Sequence, residues 1–147
     1  YPQLVGGESA KLVAEHTHDL SEYLMKLHKQ EKLDTRFTHR PVKISYHFPC
    51  HLKAQNIGYK SRDLMSLIPG AEVQVVEKCS GMDGTWGLKG KYFDLSLKVG
   101  TKLFNDIRDA KAETAVSDCP LAQIQIEQGT GMKALHPVEV IARAYGL

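Results

Sequence analysis

The chain has no closely spaced cysteine pair, no long apolar run and little net charge. Its three cysteines, Cys50, Cys79 and Cys119, are an odd number and lie far apart. An odd set cannot close into a disulfide framework. No secretory leader is read at the start either, so free thiols in a reducing compartment are expected. The wide spacing also separates the chain from C-x-x-C zinc ribbons. No apolar run reaches the roughly 20 residues that span a bilayer, so no transmembrane segment is expected. A net charge of +2 with mixed signs gives no footprint for nucleic acid or an anionic membrane. Neither G-x-G-x-x-G nor the Walker Gly-Lys-Ser/Thr pattern is present, and no nucleotide is expected in this domain. Internal repeats and low-complexity tracts are missing as well. The chain opens Tyr1-Pro2 without a methionine, and it is expected to be a piece of a longer protein.

What is present suits one globular domain. The 147 residues are 42% hydrophobic and 24% charged. A chain of this length buries roughly 70% of its unfolded surface without needing disulfides. Residues 1–8 read as an irregular lead-in, and Ser9 as the N-cap of a helix carrying Leu12, Val13 and His16. Thr17-His18-Asp19 caps a second helix, in which Leu20, Tyr23, Leu24 and Leu27 recur at helical spacing to about Gln30. Residues 33–41 read as a connector. From there the rhythm is strand, helix, strand, helix. Strands are expected at 42–47, 73–78, 114–118 and 133–135, and helices at 56–68, 92–109, 121–128 and 137–144. In the long helix, Leu95, Val99, Leu103 and Ile107 stand at steps of four. This alternation predicts an α/β fold with a mainly parallel sheet of about four strands and helices on both faces. An N-terminal amphipathic helical segment, residues 1–36, is expected to pack on the α/β domain formed by residues 37–147.

Each predicted strand ends near a possible metal ligand: Cys50, Cys79, Cys119 and His136. Parallel sheets bind ligands outside the carboxyl ends of their strands, so these residues are expected to share one edge. Taken singly, a cysteine is a small buried hydrophobe. Taken together, strand-end loops beside Gly, Pro or His favour a shared site. Cys119 precedes Pro120 at the first position of a helix, where the positive dipole end favours the thiolate that metals bind. Three thiolates leave one position open, for which His51, His136, His47 and Asp118 are candidates. Zinc accepts three Cys and one His, and iron–sulfur clusters take thiolates with occasional His. His47 also reads as a core histidine that hydrogen-bonds. Residues 81–90 form a Gly-rich loop whose Gly81 and Gly84 are read as letting backbone N–H groups approach a cluster or the Cys79 sulfur. Trp86 is read as a wall against water or as ordinary packing. Cys50 beside His51 also raises a thiol nucleophile, but no orienting acid is evident.

Three segments carry a resemblance: His47-Phe48-Pro49-Cys50-His51-Leu52, Cys79-Ser80-Gly81-Met82-Asp83-Gly84-Thr85-Trp86-Gly87, and Asp118-Cys119-Pro120-Leu121-Ala122. In this order they resemble the cysteine-rich CCG domain of iron–sulfur oxidoreductases like the B-subunit of heterodisulfide reductase. They also resemble the C-terminal part of the anaerobic glycerol-3-phosphate dehydrogenase C-subunit family. The resemblance implies an iron–sulfur electron-transfer subunit of a membrane-associated anaerobic dehydrogenase complex. It would take electrons from flavoprotein dehydrogenase subunits and pass them toward quinone through a quinone or membrane anchor subunit. A cytoplasmic place, peripheral at the inner face of the membrane, is implied too. Cys50, Cys79 and Cys119 match the family's motif cysteines. Ser80 stands where the full motif has a second adjacent Cys, and Ala122 where its last Cys would be. These departures leave room for a smaller or differently ligated cluster, for zinc, or for a metal-free subunit-interaction domain.

Overall fold

The computed structural model describes residues 2–39 and 43–147. Val42, expected at the head of the first strand, lies outside the described residues, as do Tyr1, Arg40 and Pro41. The chain divides into two compact units, Tyr1–Asp34 and Thr35–Leu147.

The first unit holds helices α1 (Pro2–Val5), α2 (Gly7–Glu15) and α3 (Leu20–Lys29). The residues read as an irregular lead-in are therefore mostly helical. Gly6 (φ 71) is the N-cap of α2, so Ser9 lies inside that helix rather than capping it. The left-handed turn at Gly6 and Gly7 starts the helix earlier than a serine cap would, because glycine takes positive φ without steric cost. Asp19 caps α3 as expected. Its Oδ1 accepts from the Ser21 and Glu22 N–H groups at 2.9 and 3.3 Å, and Glu22 Oε2 accepts from the Asp19 N–H at 3.2 Å.

The second unit runs β1 (Lys43–His47), α4 (Cys50–Gln55), α5 (Lys60–Met65), β2 (Glu72–Val76), α6 (Phe93–Asp109), β3 (Thr114–Ser117), α7 (Pro120–Thr130), β4 (Ala134–Leu135) and α8 (Pro137–Ala144). Two 3-10 turns, Trp86–Leu88 and Gly90–Tyr92, precede α6. The strands form one parallel sheet in the order β2-β1-β3-β4, so the predicted α/β architecture is the one observed. β1 is central, and Ile44, Ser45, Tyr46 and His47 are all buried. Successive strand residues face opposite sides, so Tyr46 points to one helical layer and His47 to the other. On one face Leu103, Phe104 and Ile107 of α6 pack with Ile126 of α7, Ala115 of β3, Val76 of β2 and Ala134 of β4. Each large side chain so buried contributes about 1.5–3 kcal/mol.

Four elements differ from expectation, each for a local reason. The single helix expected over 56–68 is instead α4 and α5, parted by left-handed Asn56 (φ 56) and Gly58 (φ 79). Cys50 and His51 therefore open a short helix rather than sit in a loop. β2 leaves the ladder at Val76, two residues earlier than expected. α7 runs through Gly129 to Thr130 before Gly131 (φ 77) ends it. Gly129 is there for space: a Cβ would lie 2.4 Å from the Phe104 ring. In α6, Leu103 and Ile107 are buried, but Leu95 and Val99 are 52% and 46% exposed. Steps of four drift about 40° each around a 3.6-residue helix. The inward line at this end is Ser96 and Gly100 instead.

Candidate functional site

Cys50, Cys79 and Cys119 follow β1, β2 and β3, three adjacent parallel strands, and so lie along one carboxyl edge. All three are free thiols. Cys50 and Cys79 are exposed and Cys119 is half-buried. His136 follows β4 at the same end of the sheet.

The Cys119 segment is held by buried polar groups. Cys119 is the N-cap of α7, with Pro120 at the first helical position, and its carbonyl accepts the Gln123 N–H at 2.9 Å. Asp118 accepts the Tyr46 hydroxyl at 2.6 Å and the Ser61 hydroxyl at 2.5 Å. It thereby ties the start of α7 to β1 and α5, which commits its carboxylate to the scaffold. Ser117 Oγ accepts the Cys119 N–H at 3.2 Å, and Gln123 Nε2 donates to the Ser117 carbonyl at 2.6 Å.

His47 lies between the Cys79 and Cys119 segments. Its Nε2 is 3.0 Å from the Lys78 carbonyl and its Nδ1 is 2.9 Å from Ser117 Oγ. It is therefore the hydrogen-bonded core histidine that its strand position allowed. Burial lowers its pKa from 6.5 to about 4, against the raising effect of the Lys78 carbonyl, and the charge of His51 adds to the lowering.

The Cys79 segment is held from above. Gly81 donates its N–H to Cys79 Sγ at 3.3 Å. Its φ is +84, and a Cβ there would lie 2.2 Å from the Ser96 carbonyl oxygen. Only glycine fits that approach. Ser96 Oγ donates to the Gly81 carbonyl at 2.9 Å and accepts from Gln125 Nε2 at 2.6 Å. A Cβ on Gly100 would meet the Ser80 carbonyl oxygen at 2.7 Å. Small residues on α6 thus let the cysteine loop settle onto the helix. Gly84 (φ 62) has open space around it, so its role is to turn the chain. Trp86 stacks on Tyr92 with ring centroids 5.0 Å apart.

The Cys50 segment is anchored by buried Phe48, Pro49 and Leu52, and its polar ties lie at the surface. Pro49, the N-cap of α4, makes no side-chain cap bond. Lys53 Nζ pairs with Glu77 Oε2 at 2.8 Å, and the Tyr59 hydroxyl donates to Glu77 Oε1. Lys53 and Tyr59 hold the Glu77 carboxyl below its usual range. His51 is exposed in the first turn of α4. His136 Nδ1 accepts the Val138 N–H at 3.2 Å, capping α8. A neutral ring used in this way carries its proton on Nε2, so metal ligation at His136 would break the cap.

The donor chemistry fits a soft metal centre, with three free thiols on one edge and a backbone N–H on one sulfur. The present spacing does not enclose one. Among the described residues, no three His, Cys, Asp or Glu side chains are grouped to hold a metal ion. The expected convergence within reach of a single metal is thus not seen, although the common edge is. Ala122, where the full motif of the resembling family has a cysteine, is buried in the first turn of α7 and offers no ligand. A cleft of about 340 Å³ lies along β2 and α6, lined by Gln74 to Lys78 with Asp106 and Asp109, and contains no cysteine or histidine.

Comparison with known proteins identifies relatives. The chain is 34% identical over 105 residues to the C-subunit of anaerobic glycerol-3-phosphate dehydrogenase from Escherichia coli, covering 71% of this chain and 26% of that protein. It is 29% identical over 129 residues to the B-subunit of fumarate reductase (CoM/CoB) from Methanothermobacter marburgensis, covering 84% of this chain and 25% of that protein. An uncharacterized iron–sulfur protein of Methanocaldococcus jannaschii is 29% identical over 92 residues, covering 60% of this chain and 18% of that protein. The chain is homologous to these proteins. It spans about a quarter of the length of the first two. No family model matches the sequence, and no solved structure matches it.

The sequence reading did not pick out Ser117, Ser96, Gly100 or Gln125, which position the cysteine loops. Their one visible trace is a pair of small residues four apart, Ser96 and Gly100, beside the apolar line of α6.

Proposed function

We propose that this chain is an electron-transfer domain of an anaerobic oxidoreductase complex, with Cys50, Cys79 and Cys119 as thiolate ligands of an iron–sulfur centre. The observation that carries the reading is three free thiols at the carboxyl ends of three neighbouring parallel strands. The relatives' names, an iron–sulfur protein and subunits of a dehydrogenase and a reductase, support it. Such a centre, when bound, accepts and returns one electron at a time. The exposed Cys50 and Cys79 segments must close toward Cys119 for the three sulfurs to meet. His51, exposed beside Cys50, is the imidazole available as a further ligand, because His136 serves as a cap. In the complex, a flavoprotein subunit delivers electrons and a quinone-linked or membrane anchor subunit receives them at the inner face of the membrane. Among the described residues no helix is long and apolar enough to cross a membrane.

Anaerobic iron–sulfur reconstitution tests this. Wild type is expected to gain iron, sulfide and broad visible absorbance. Cys50→Ser, Cys79→Ser and Cys119→Ser are each expected to lose most of that gain. If wild type takes up no more iron than the triple serine variant, the assignment fails. Stoichiometric zinc without sulfide, lost in the same variants, would make the domain a structural zinc site.

A further inference from the structure

We infer that His47 is a positioning residue that fixes the Cys79 segment and the Cys119 segment to each other, through a one-way hydrogen-bond chain across the end of β1. The inference deepens the reading of the three thiols as one ligand set and rests on it.

The direction of every bond follows from chemistry. The Lys78 carbonyl only accepts, so the His47 Nε2 at 3.0 Å carries the proton. In a neutral ring Nδ1 is then bare and accepts the Ser117 hydroxyl at 2.9 Å. With its own proton committed, Ser117 Oγ accepts the Cys119 N–H at 3.2 Å. The chain therefore runs from the Cys119 amide through Ser117 to His47, and from His47 to the peptide that joins Lys78 to Cys79. Each end stops at the backbone of a candidate ligand. Neither end relies on a flexible surface side chain.

The location adds to the case. β2 leaves the ladder at Val76, so no strand bond fixes the Lys78 carbonyl, and His47 supplies the hold instead. His47 is 3% exposed, and its backbone is paired to both neighbours, with Val76 on one side and Ser117 on the other. It is thus the residue from which both loops can be reached. A buried ring bonded at both nitrogens has one orientation and one tautomer, and it sets the distance between two backbones more firmly than either loop could alone. Cys50 receives no bond from this chain.

The test uses the whole chain, reduced and metal-free, with two variants that break the hydrogen-bond chain on its Ser117 side, one from each partner. His47→Gln places an amide near the Nε2 position and removes the acceptor for Ser117. Ser117→Ala removes the middle of the chain and leaves the ring in place, while Ser117→Thr restores the hydroxyl. Long-range proton–nitrogen spectra of wild type at neutral pH are expected to show His47 protonated at Nε2 alone. Site-resolved alkylation is expected to label Cys119 several-fold faster in His47→Gln and Ser117→Ala, with Cys50 unchanged and Ser117→Thr close to wild type. Iron uptake on reconstitution is expected to fall in the first two and recover in the third. If the ring is protonated at Nδ1, or if Cys119 labelling is unchanged in a folded Ser117→Ala, the inference is overturned. If labelling of all three cysteines rises together, the residue supports the fold generally and the inference also fails. If labelling responds as expected but wild type binds no iron, the iron–sulfur reading fails while the positioning role stands. Should His47→Gln not fold, Ser117→Ala and Ser117→Thr still decide the matter.

Discussion

Cys119 and Cys50 follow neighbouring strands yet are held by different physics. Around Cys119, the bonds are buried or half-buried and cross long stretches of sequence: Asp118 to Tyr46 and Ser61, and Ser117 to His47. Around Cys50, Phe48, Pro49 and Leu52 are buried, but the polar ties are an uncapped six-residue helix and an exposed trio of Lys53, Tyr59 and Glu77. Cys79 lies between these cases, exposed itself but docked through Gly81 onto α6. Exposed ion pairs contribute little, whereas buried hydrogen bonds cost much to break. The comparison points to an edge with one fixed thiol, one docked thiol and one adjustable thiol. A site built that way would close on a centre chiefly by moving Cys50.

The docked segment is where one atom should matter most. Gly81→Ala forces a Cβ to 2.2 Å from the Ser96 carbonyl oxygen at φ +84. Backbone on both sides leaves no flexible group to yield, so a loss of about 3–4 kcal/mol is expected. Chemical denaturation of the metal-free protein measures it. A loss under about 1 kcal/mol would mean that the loop is not docked as described.

Breaking the fixed side comes next. Asp118→Ala removes the acceptor shared by the Tyr46 and Ser61 hydroxyls in a half-buried position. A loss of about 2–3 kcal/mol is expected, from two charge-assisted bonds removed at once. Asp118→Asn keeps one acceptor oxygen and should fall between Asp118→Ala and wild type in the same denaturation experiment.

Acid sharpens the comparison without a mutation. His47 titrates at about 4 in the folded chain against 6.5 for the free side chain. Between those values the unfolded chain binds the extra proton and the folded chain does not, so stability falls as pH is lowered through this window. The stabilisation is complete above about pH 6.5, declines from there to about pH 4, and amounts to on the order of 3 kcal/mol at full size. Denaturation midpoints followed across that range should show the slope, and His47→Gln should flatten it.

These contrasts also explain what the sequence could reveal. β-branched runs before each cysteine made the parallel strands legible, and Asp19, Pro120 and Pro137 marked helix starts by local chemistry. The common edge of Cys50, Cys79 and Cys119 followed from topology alone. His47 on β1 was readable as a buried histidine, but its partners Ser117 and Lys78 lie on other elements, and no local pattern joins them. The break between α4 and α5 was missed because Asn56 adopts a left-handed conformation that an Asn only permits. Ser96 and Gly100 stand one position beyond the expected stripe of Leu95, Val99, Leu103 and Ile107, and nothing local singles them out. They are the residues that let the Cys79 loop approach.

The smallest expected effect concerns the adjustable side, and it distinguishes local from global stability. Glu77→Gln removes the charge that draws Lys53 of α4 toward the end of β2, and it weakens the acceptor used by Tyr59. All three groups are at the surface, where water and salt screen them. The global unfolding midpoint should therefore stay where it is. What should change is local opening: α4 is short, begins at Pro49 without a side-chain cap and ends at left-handed Asn56, so beyond buried Leu52 in its first turn little opposes fraying of its second half. Amide exchange in the second half of α4 should accelerate in Glu77→Gln, while β1 and β3 amides keep their wild-type rates. Raising the salt concentration should bring wild type toward the variant, because it screens the same attraction. If α4 exchange does not respond to either change, the surface trio is not what holds Cys50. If β3 slows or quickens along with α4, the two sides of the edge are coupled more tightly than the buried and exposed bonds imply.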